Sequence, residues 1–540
     1  MYSHTLPNII FAEKPRESID ITLERSNNVN IINNYITDES RVIEGYAEEV
    51  VFPRNEKQIS EILKEANSRR ICVTISGGGT GITGSRVPLG GIVLSTDKMT
   101  QLDRKYLPSS GELIEYIDSG RKYSIFIGKD EEGFYAITPP GIPIGSFKRI
   151  VEGKGLCYPP DPTETTAFLG GTVATNASGS RTFYYGPTRD YVRRLRVVLP
   201  NGDVLDIRRG RVFARENKFI IVLTDGRRIE VELPSYKMPN VEKNAAGYYI
   251  NPNMDLIDLF IGSEGTLGVI SEIEIKLIKK PKDILPVFAH FSCEEDAVSF
   301  AKKLREVARK GELPVLSIEF FDKYSVDFMR KKYPPPTIPS ESNGIIFFEE
   351  ETGSEEESVI IERTIDLVEK YNAIKSMIMD LERAKEIRHA LPEEVNKFVR
   401  SHGTHKVATD ICTPEETFDE MMRYYHEVGD EVEIPYVIFG HIGNFHLHFN
   451  FLPRNREELK IAVSACTKLL EKAVKLGGTI SGEHGVGKKY YLKDGERRPY
   501  IELMYGERGL IEMAKLKHAF DPNHILNVGN IIPEEYLEKV

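Results

Sequence analysis

Ser76-Gly77-Gly78-Gly79-Thr80-Gly81-Ile82-Thr83-Gly84 follows directly on the β-branched run Ile71-Cys72-Val73-Thr74-Ile75, and this junction decides the fold. Gly79, Gly81 and Gly84 match GxGxxG after a strand, which alone is a weak sign of a dinucleotide fold. A Rossmann loop must open into a helix, because the helix N-terminus binds the pyrophosphate. Here Pro88 and Gly90-Gly91 come next, followed by a second strand-like run, Gly91-Ile92-Val93-Leu94-Ser95, so a long helix does not fit. The expected structure is a turn whose bare N–H groups line a concavity for an anion. Glycine lets the backbone approach a phosphate closely. A plain surface hairpin is the alternative, and five glycines within residues 77–84 argue against it.

Working outward, residues 56–68 carry Ile59, Ile62 and Leu63 at helical spacing. Residues 192–206 and 219–233 read as hairpins turned at Asn201-Gly202 and Asp225-Gly226, and 269–278 reads as a strand. Two further stretches are rich in small residues: 159–186, containing GGTVATNASG, and 260–275, containing GSEGTLGVI. After Pro281 the texture changes. A charged helix is expected over 295–311, a loop over the prolines of 332–342, a strand at 345–348 and largely helix over 355–390. The acidic runs Glu349–Glu351 and Glu355–Glu357 read as a solvated face. Residues 519–532 are too apolar for a loose tail. These shifts divide the chain into a lead-in (1–32), a domain over 33–280, a second domain over 281–518 and a closing segment, 519–540.

A chain of 540 residues is too long for one ordinary core. With 40% hydrophobic and 28% charged residues it reads as globular, and no apolar run reaches the length of a membrane span. Met1–Phe11 has no basic segment before an apolar run, so no secretory signal is expected. The net charge of −11 argues against a nucleic-acid binder, though not against a small anionic ligand. The five cysteines are scattered without a CxxC pair, which argues against a locally encoded Fe–S cluster or zinc ribbon and fits a reduced, cytoplasmic setting. Histidine is the informative residue. Of twelve, His441, His446, His448 and His484 crowd into 441–484. His446 and His448 would share one strand face, and Glu483-His484 puts a carboxylate beside an imidazole, donors that suit Zn²⁺, Mn²⁺ or Fe²⁺.

Taken in order, SGGGTGITG, PPDP…GGTVATNASGS…YGPTRDYV and GSEGTLGVI resemble the FAD domain of the vanillyl-alcohol oxidase / p-cresol methylhydroxylase flavoproteins. The likeness is greatest to their D-2-hydroxy-acid dehydrogenase branch, which includes D-lactate dehydrogenases, glycolate oxidase flavin subunits and D-2-hydroxyglutarate dehydrogenases. It spans roughly residues 35–535. It implies an α+β chain: an FAD-binding domain of two α+β subdomains, then a cap domain with an antiparallel sheet flanked by helices, and a closing segment returning to the FAD domain. It implies non-covalent FAD, with Gly77, Gly78, Gly79, Thr80, Gly81, Thr83 and Gly84 around the pyrophosphate. Pro160, Asp161, Gly170, Gly171, Thr172, Ala174, Asn176, Gly179 and Gly186 would line the cofactor, with Val269 and Ile270 on the adenine side. Asn527, in ILNVGN where the family reads NPGK, would reach the flavin.

On the same alignment HIGNFHLHFN corresponds to HxGDGNxHxN, and SGEHGVG to GEHGIG. The implied metal ligands are His441, His448 and Glu483, Zn²⁺ being the first expectation. His446 stands at the family's second Asn, Asn444 at its Asp, and Phe445 at a glycine. Oxidising an alcohol beside a carboxylate requires loss of the hydroxyl proton and transfer of the C2 hydrogen as hydride. A divalent ion lowers the hydroxyl pKa and an imidazole takes the proton, a role that falls to His484. Asn450 is expected to touch the substrate. Lys385, which replaces the usual Arg, together with Arg388 and Arg86 are the candidates for its carboxylate. The expected reaction is oxidation of a D-2-hydroxy acid, D-lactate first, with glycolate or D-2-hydroxyglutarate as alternatives. Electrons would leave to a separate electron-transfer flavoprotein, cytochrome or quinone, with no nucleic acid involved. A homodimer, a complex with an Fe–S subunit and a peripheral place at the inner membrane face remain open. A non-redox reading is carried by the related alkyl-dihydroxyacetone-phosphate synthases, which have His-His-His-Gly where this chain has Gly482-Glu483-His484-Gly485.

Overall fold

The structure is a computed structural model that describes residues 8–18, 21–41, 43–353, 357–493 and 495–540. Most of the stretch read for a secretory signal, residues 1–7, and Glu355-Glu356 of the acidic run lie outside the described residues.

The glycine junction is not a Rossmann turn. Strand Val73–Ser76 leads into an irregular loop, and the chain re-enters the same sheet as strand Ile92–Ser95, parallel to it in the register Val73↔Ile92. Glu49–Phe52 and Glu24–Ser26 complete a four-stranded sheet. Helix Glu56–Arg69 covers one face. Asn55 caps it by accepting from the Gln58 N–H at 3.0 Å, and it ends at Arg70 in the left-handed region (φ 51°). Ile59, Ile62 and Leu63 are fully buried beneath it, each contributing about 1.5–3 kcal/mol. The second subdomain holds a seven-stranded sheet running Val204–Arg208, Val192–Val198, Val269–Lys279, Gly133–Thr138, Arg121–Asp130, Glu112–Asp118, with Leu156–Cys157 pairing on the long central strand. The first hairpin expected from sequence belongs to this sheet. The second, Lys218–Val222 with Arg228–Glu232, forms a separate small sheet with Ile9–Phe11.

Beyond Lys279 the chain builds an eight-stranded sheet in which every pair is antiparallel. Ile284–Phe291, Gly344–Glu351, Val315–Phe321 and Tyr436–His441 form its centre. Helices Glu294–Arg309, Leu381–Ser401 and Arg456–Lys475 are among those that flank it. The stretch 355–390 is less helical than its composition suggests. Helix Glu357–Lys370 stops where Asn372 turns left-handed (φ 60°), and Lys375–Ile378 becomes an edge strand on Ile284–Phe291. The acidic run is not all solvated either: Glu349 and Glu350 are buried in the central strand. The closing segment returns to the first sheet, where the Val73 N–H donates to Ile525 O (2.7 Å) and the Asn527 N–H to Val73 O (2.9 Å). Among the described residues no helix is long and apolar enough to cross a membrane.

Glu350 makes the cost of this burial measurable. One carboxylate oxygen accepts from Thr364 Oγ1 at 2.8 Å, the other has no partner among the described residues, and burial pushes the carboxyl up to about 7. A raised acid gives stability that is complete below its unfolded pKa and is lost as pH climbs through the folded value. Glu350→Gln should therefore raise the melting temperature at pH 8, by the equivalent of about 1–3 kcal/mol. The gain should shrink towards pH 4–5. An equal gain at both pH values in thermal scans would contradict this.

Candidate active site

The three glycine-rich stretches meet along one cleft of about 1140 Å³ between the two domains. Gly77, Gly78, Gly79, Thr80, Gly81 and Thr83 line one wall, Gly170, Gly171, Thr172 and Ala174 another, and Val269, Ile270 and Asn527 a third. Space for a large ligand is visible at the backbone. A Cβ added to Gly81 or Gly171 would meet no protein atom within 4 Å, so each glycine leaves open a surface that a side chain would fill. Asn527 ties the walls together, since Oδ1 accepts from the Ile75 N–H (2.7 Å) and Nδ2 donates to Glu264 O (2.6 Å). These features fit a dinucleotide laid against bare backbone.

Other expected cofactor residues stand behind that surface. Pro160 is buried, Asp161 is paired with Lys148, and Asn176 Oδ1 accepts from the Arg189 N–H at 3.0 Å. The Gly84 N–H donates to Asp38 (2.7 Å). Gly179 and Gly186 are held by close packing, a Cβ there coming within 1.9 Å of Asp161 O and 2.2 Å of Asp190 Oδ2. None of the six lines the cleft; they shape the loops that do.

The histidine segment is two strands rather than one. Tyr436–His441 and His446–Phe451 form a tight hairpin in the register His441↔His446, with Phe445 left-handed (φ 52°) at the turn. The strain at that position is offset by burial of the ring against Phe418 (5.0 Å) and the Arg305 guanidinium (4.6 Å). The hairpin brings His441, His446 and His448 together, and the loop after Thr479 adds Glu483, so that donor atoms of all four lie within 4.8 Å of one another. Glu483 Oε1 faces Nε2 of His441 (3.4 Å), His448 (3.5 Å) and His484 (3.6 Å). His446 Nδ1, buried beside them, has no hydrogen-bond partner among the described residues. Three imidazoles and one carboxylate around a common point, with an orphaned ring nitrogen, fit a divalent ion.

Three organising residues escaped the sequence reading. Asp410 is buried and accepts from the backbone N–H of Glu483 (3.1 Å) and His484 (2.9 Å) and from Ser481 Oγ (2.8 Å). It lies 3.1 Å from His484 Nδ1 and 2.7 Å from His446 Nε2. Glu319 sits 2.5 Å from His441 Nδ1, which leaves Nε2 to face Glu483. Lys243, fully buried, donates to Glu483 Oε2 (3.0 Å). Burial would raise these carboxyls, but neighbouring charge and hydrogen bonds win: His484 and the hydrogen bond from His446 hold Asp410 well below the carboxylate range, Arg388 and His441 do so for Glu319, and Lys243 with His441 for Glu483. Burial pushes His446 down to about 3, a neutral, ligand-ready imidazole.

His484 lines the cleft with its side chain 30% exposed, while Asp410 behind it is shielded. The expected substrate anchors are placed differently. Arg388 is paired with Glu319, Lys385 Nζ lies 3.2 Å from Glu382 on an exposed helix face, and buried Asn450 donates to His448 O (3.3 Å); none lines the cleft. Arg86 does line it, but its Nη2 donates to Asn34 O (2.7 Å) and it packs on Gly79, beside the glycine loop. Two further cations, Lys406 and Lys489, line the same cleft. Neither ammonium has a hydrogen-bond or ion-pair partner among the described residues, and burial with Lys489 nearby holds Lys406 below its ordinary value.

A bare-backbone dinucleotide cleft, roofed by an antiparallel-sheet domain that presents an imidazole–carboxylate cluster, defines the class as a two-domain flavin oxidoreductase. Residues 47–107 and 117–208 match an FAD binding domain, and residues 280–531 match the FAD linked oxidases, C-terminal domain. The chain is 31% identical over 485 residues to a D-lactate dehydrogenase of Archaeoglobus fulgidus, covering 89% of this chain and 91% of the relative. It is 28% identical over 511 residues to the glycolate oxidase subunit GlcD of Bacillus subtilis, covering 94% and 93%. The chain belongs to the FAD-linked oxidase family. In fold it is also similar to a solved alkyldihydroxyacetonephosphate synthase, with a TM-score of 0.60 and 16% identity over 93% of this chain and 81% of that one.

Proposed function

We propose that this protein oxidises a D-2-hydroxy acid, D-lactate first, to the 2-oxo acid and hands the electrons to a separate carrier. One observation carries the reading: His484, backed by buried Asp410, enters the cofactor cleft beside the His441/His448/Glu483 cluster. Bound FAD supplies the hydride acceptor, and a divalent ion held by His441, His448 and Glu483 supplies positive charge at the substrate hydroxyl. Asp410 keeps the proton of His484 on Nδ1, so Nε2 presents a lone pair to the cleft. Nε2 takes the hydroxyl proton as the C2 hydrogen departs. Lys406 and Lys489 attract the substrate's carboxylate. Glu483, at the position of a histidine in the synthases, favours this redox reading over a non-redox transfer.

The deciding experiment is anaerobic mixing of the FAD-loaded protein with D-lactate, glycolate, D-2-hydroxyglutarate and the L-isomers. Bleaching near the flavin band by one D-acid is expected, and a flavin left oxidised by the whole panel rejects the function. Chelation should slow that reduction by about 100-fold or more, with recovery on adding Zn²⁺ or Mn²⁺. Undiminished reduction would remove the metal from the mechanism. Lys406→Met should raise KM by about 10- to 100-fold with kcat nearly unchanged. A fall in kcat at constant KM would move Lys406 out of substrate binding.

A further inference from the structure

Lys243 lies in the irregular stretch between strand Arg228–Glu232 and helix Ile257–Phe260, so it comes from the FAD-binding domain, yet its ammonium ends in the histidine cluster of the other. Its neighbours are fastened there: the Ala245 N–H donates to Ser481 O (2.8 Å), and Thr479 Oγ1 to Asn244 Oδ1 (2.6 Å). Nζ donates to Gly179 O (2.9 Å) and Glu483 Oε2 (3.0 Å), with no solvent contact. Fully burying an ammonium is expensive, and a site meant only to attract a cation would not place one inside it.

The arrangement divides the two oxygens of Glu483. Oε2 is held by Lys243 Nζ and by Ser178 Oγ (3.2 Å), with His446 Nδ1 farther off at 3.8 Å, while Oε1 faces Nε2 of His441, His448 and His484 at 3.4, 3.5 and 3.6 Å. A carboxylate free to swing could grip an ion with both oxygens and fill the position a reacting hydroxyl needs, whereas a catalytic site keeps that position open. A fixed cation also weakens the hold on a dication by direct repulsion.

We propose that Lys243 is a positioning residue that restricts Glu483 to one-oxygen ligation and holds the affinity for the ion below what the donor set alone would give. The proposal rests on the metal reading above. Its test is Zn²⁺ titration of metal-stripped, FAD-loaded protein against a chromophoric chelator, which reads affinity without turnover. Lys243→Met should bind Zn²⁺ at least about tenfold tighter, about 1.4 kcal/mol, and Lys243→Arg should restore wild-type affinity. A merely structural lysine predicts the opposite, weaker binding in Lys243→Met. Should Lys243→Met lose FAD, Lys243→Gln keeps an N–H donor without the charge and carries the same test. Equal or weaker Zn²⁺ binding by the uncharged variant overturns the role of Lys243 alone. Absence of Zn²⁺ binding in the wild type as well overturns it together with the metal reading.

Discussion

His484→Ala should retain FAD with an unchanged visible spectrum, yet reduce it with D-lactate about 10²- to 10⁴-fold more slowly in single-turnover stopped flow, the range for loss of a positioned general base. The size follows from the surroundings. His484 is the imidazole of the cluster that lines the cofactor cleft, and its Nδ1 is committed to Asp410. Its Nε2 is then the basic atom presented to a substrate hydroxyl. His484 Nε2 lies 3.6 Å from Glu483 Oε1 but is not one of the three ligands proposed for the ion, so Zn²⁺ content should fall little. Reduction within threefold of wild type would remove it from the chemistry.

The second large effect belongs to Asp410. Asp410→Asn keeps the shape but replaces one acceptor oxygen by an NH₂ donor. The carboxylate accepts from two backbone N–H groups and Ser481 and stands against His484 on one oxygen, with His446 on the other. An amide cannot accept on both sides. With the NH₂ towards His484, the ring must turn its lone pair to Asp410 and its proton to the cleft, the wrong tautomer for a base. In serine hydrolases the corresponding exchange costs about 10⁴-fold, and flavin reduction here should fall by about 10²- to 10⁴-fold. It should also weaken Zn²⁺ binding, because either orientation sets the NH₂ against a group that shapes the cluster, the Glu483 backbone N–H on one side or His446 Nε2 on the other. A variant that leaves both rate and Zn²⁺ content intact would reduce Asp410 to a packing residue.

Asp410 also shows where sequence reading stops. The glycine loop and the histidine cluster were legible because each is a local pattern, bare backbone after a strand and a dense bunching of one residue type; the antiparallel cap follows only from the family resemblance, and the histidine hairpin reads as a single strand. Asp410 is a lone acid in VATDICTP, and what makes it matter is an isolated bridge to Ser481, 71 positions away. Glu319 and Lys243 reach the cluster from still farther along the chain, 122 positions from His441 and 240 from Glu483. The structure places some of the expected substrate anchors away from the cleft for a related reason. Spacing put Arg388 near the site, but spacing carries no account of partners, and Glu319 claims its guanidinium. His446, unexplained from sequence, is a neutral ring against Asp410 with one free nitrogen towards the cluster.

Asn527 reaches back 452 positions to the backbone of Ile75, and Asn523 reaches 456 to Asn67. On the ribosome the glycine loop therefore emerges long before the segment that closes it. At roughly 5–20 residues per second, that delay is on the order of 20–90 s. For that interval the nascent chain carries a half-built nucleotide cradle with one sheet edge unpaired. The cradle is in this sense closed by the segment around Asn527, and it is the appearance of that segment, not of the glycine loop itself, that completes the surface for FAD.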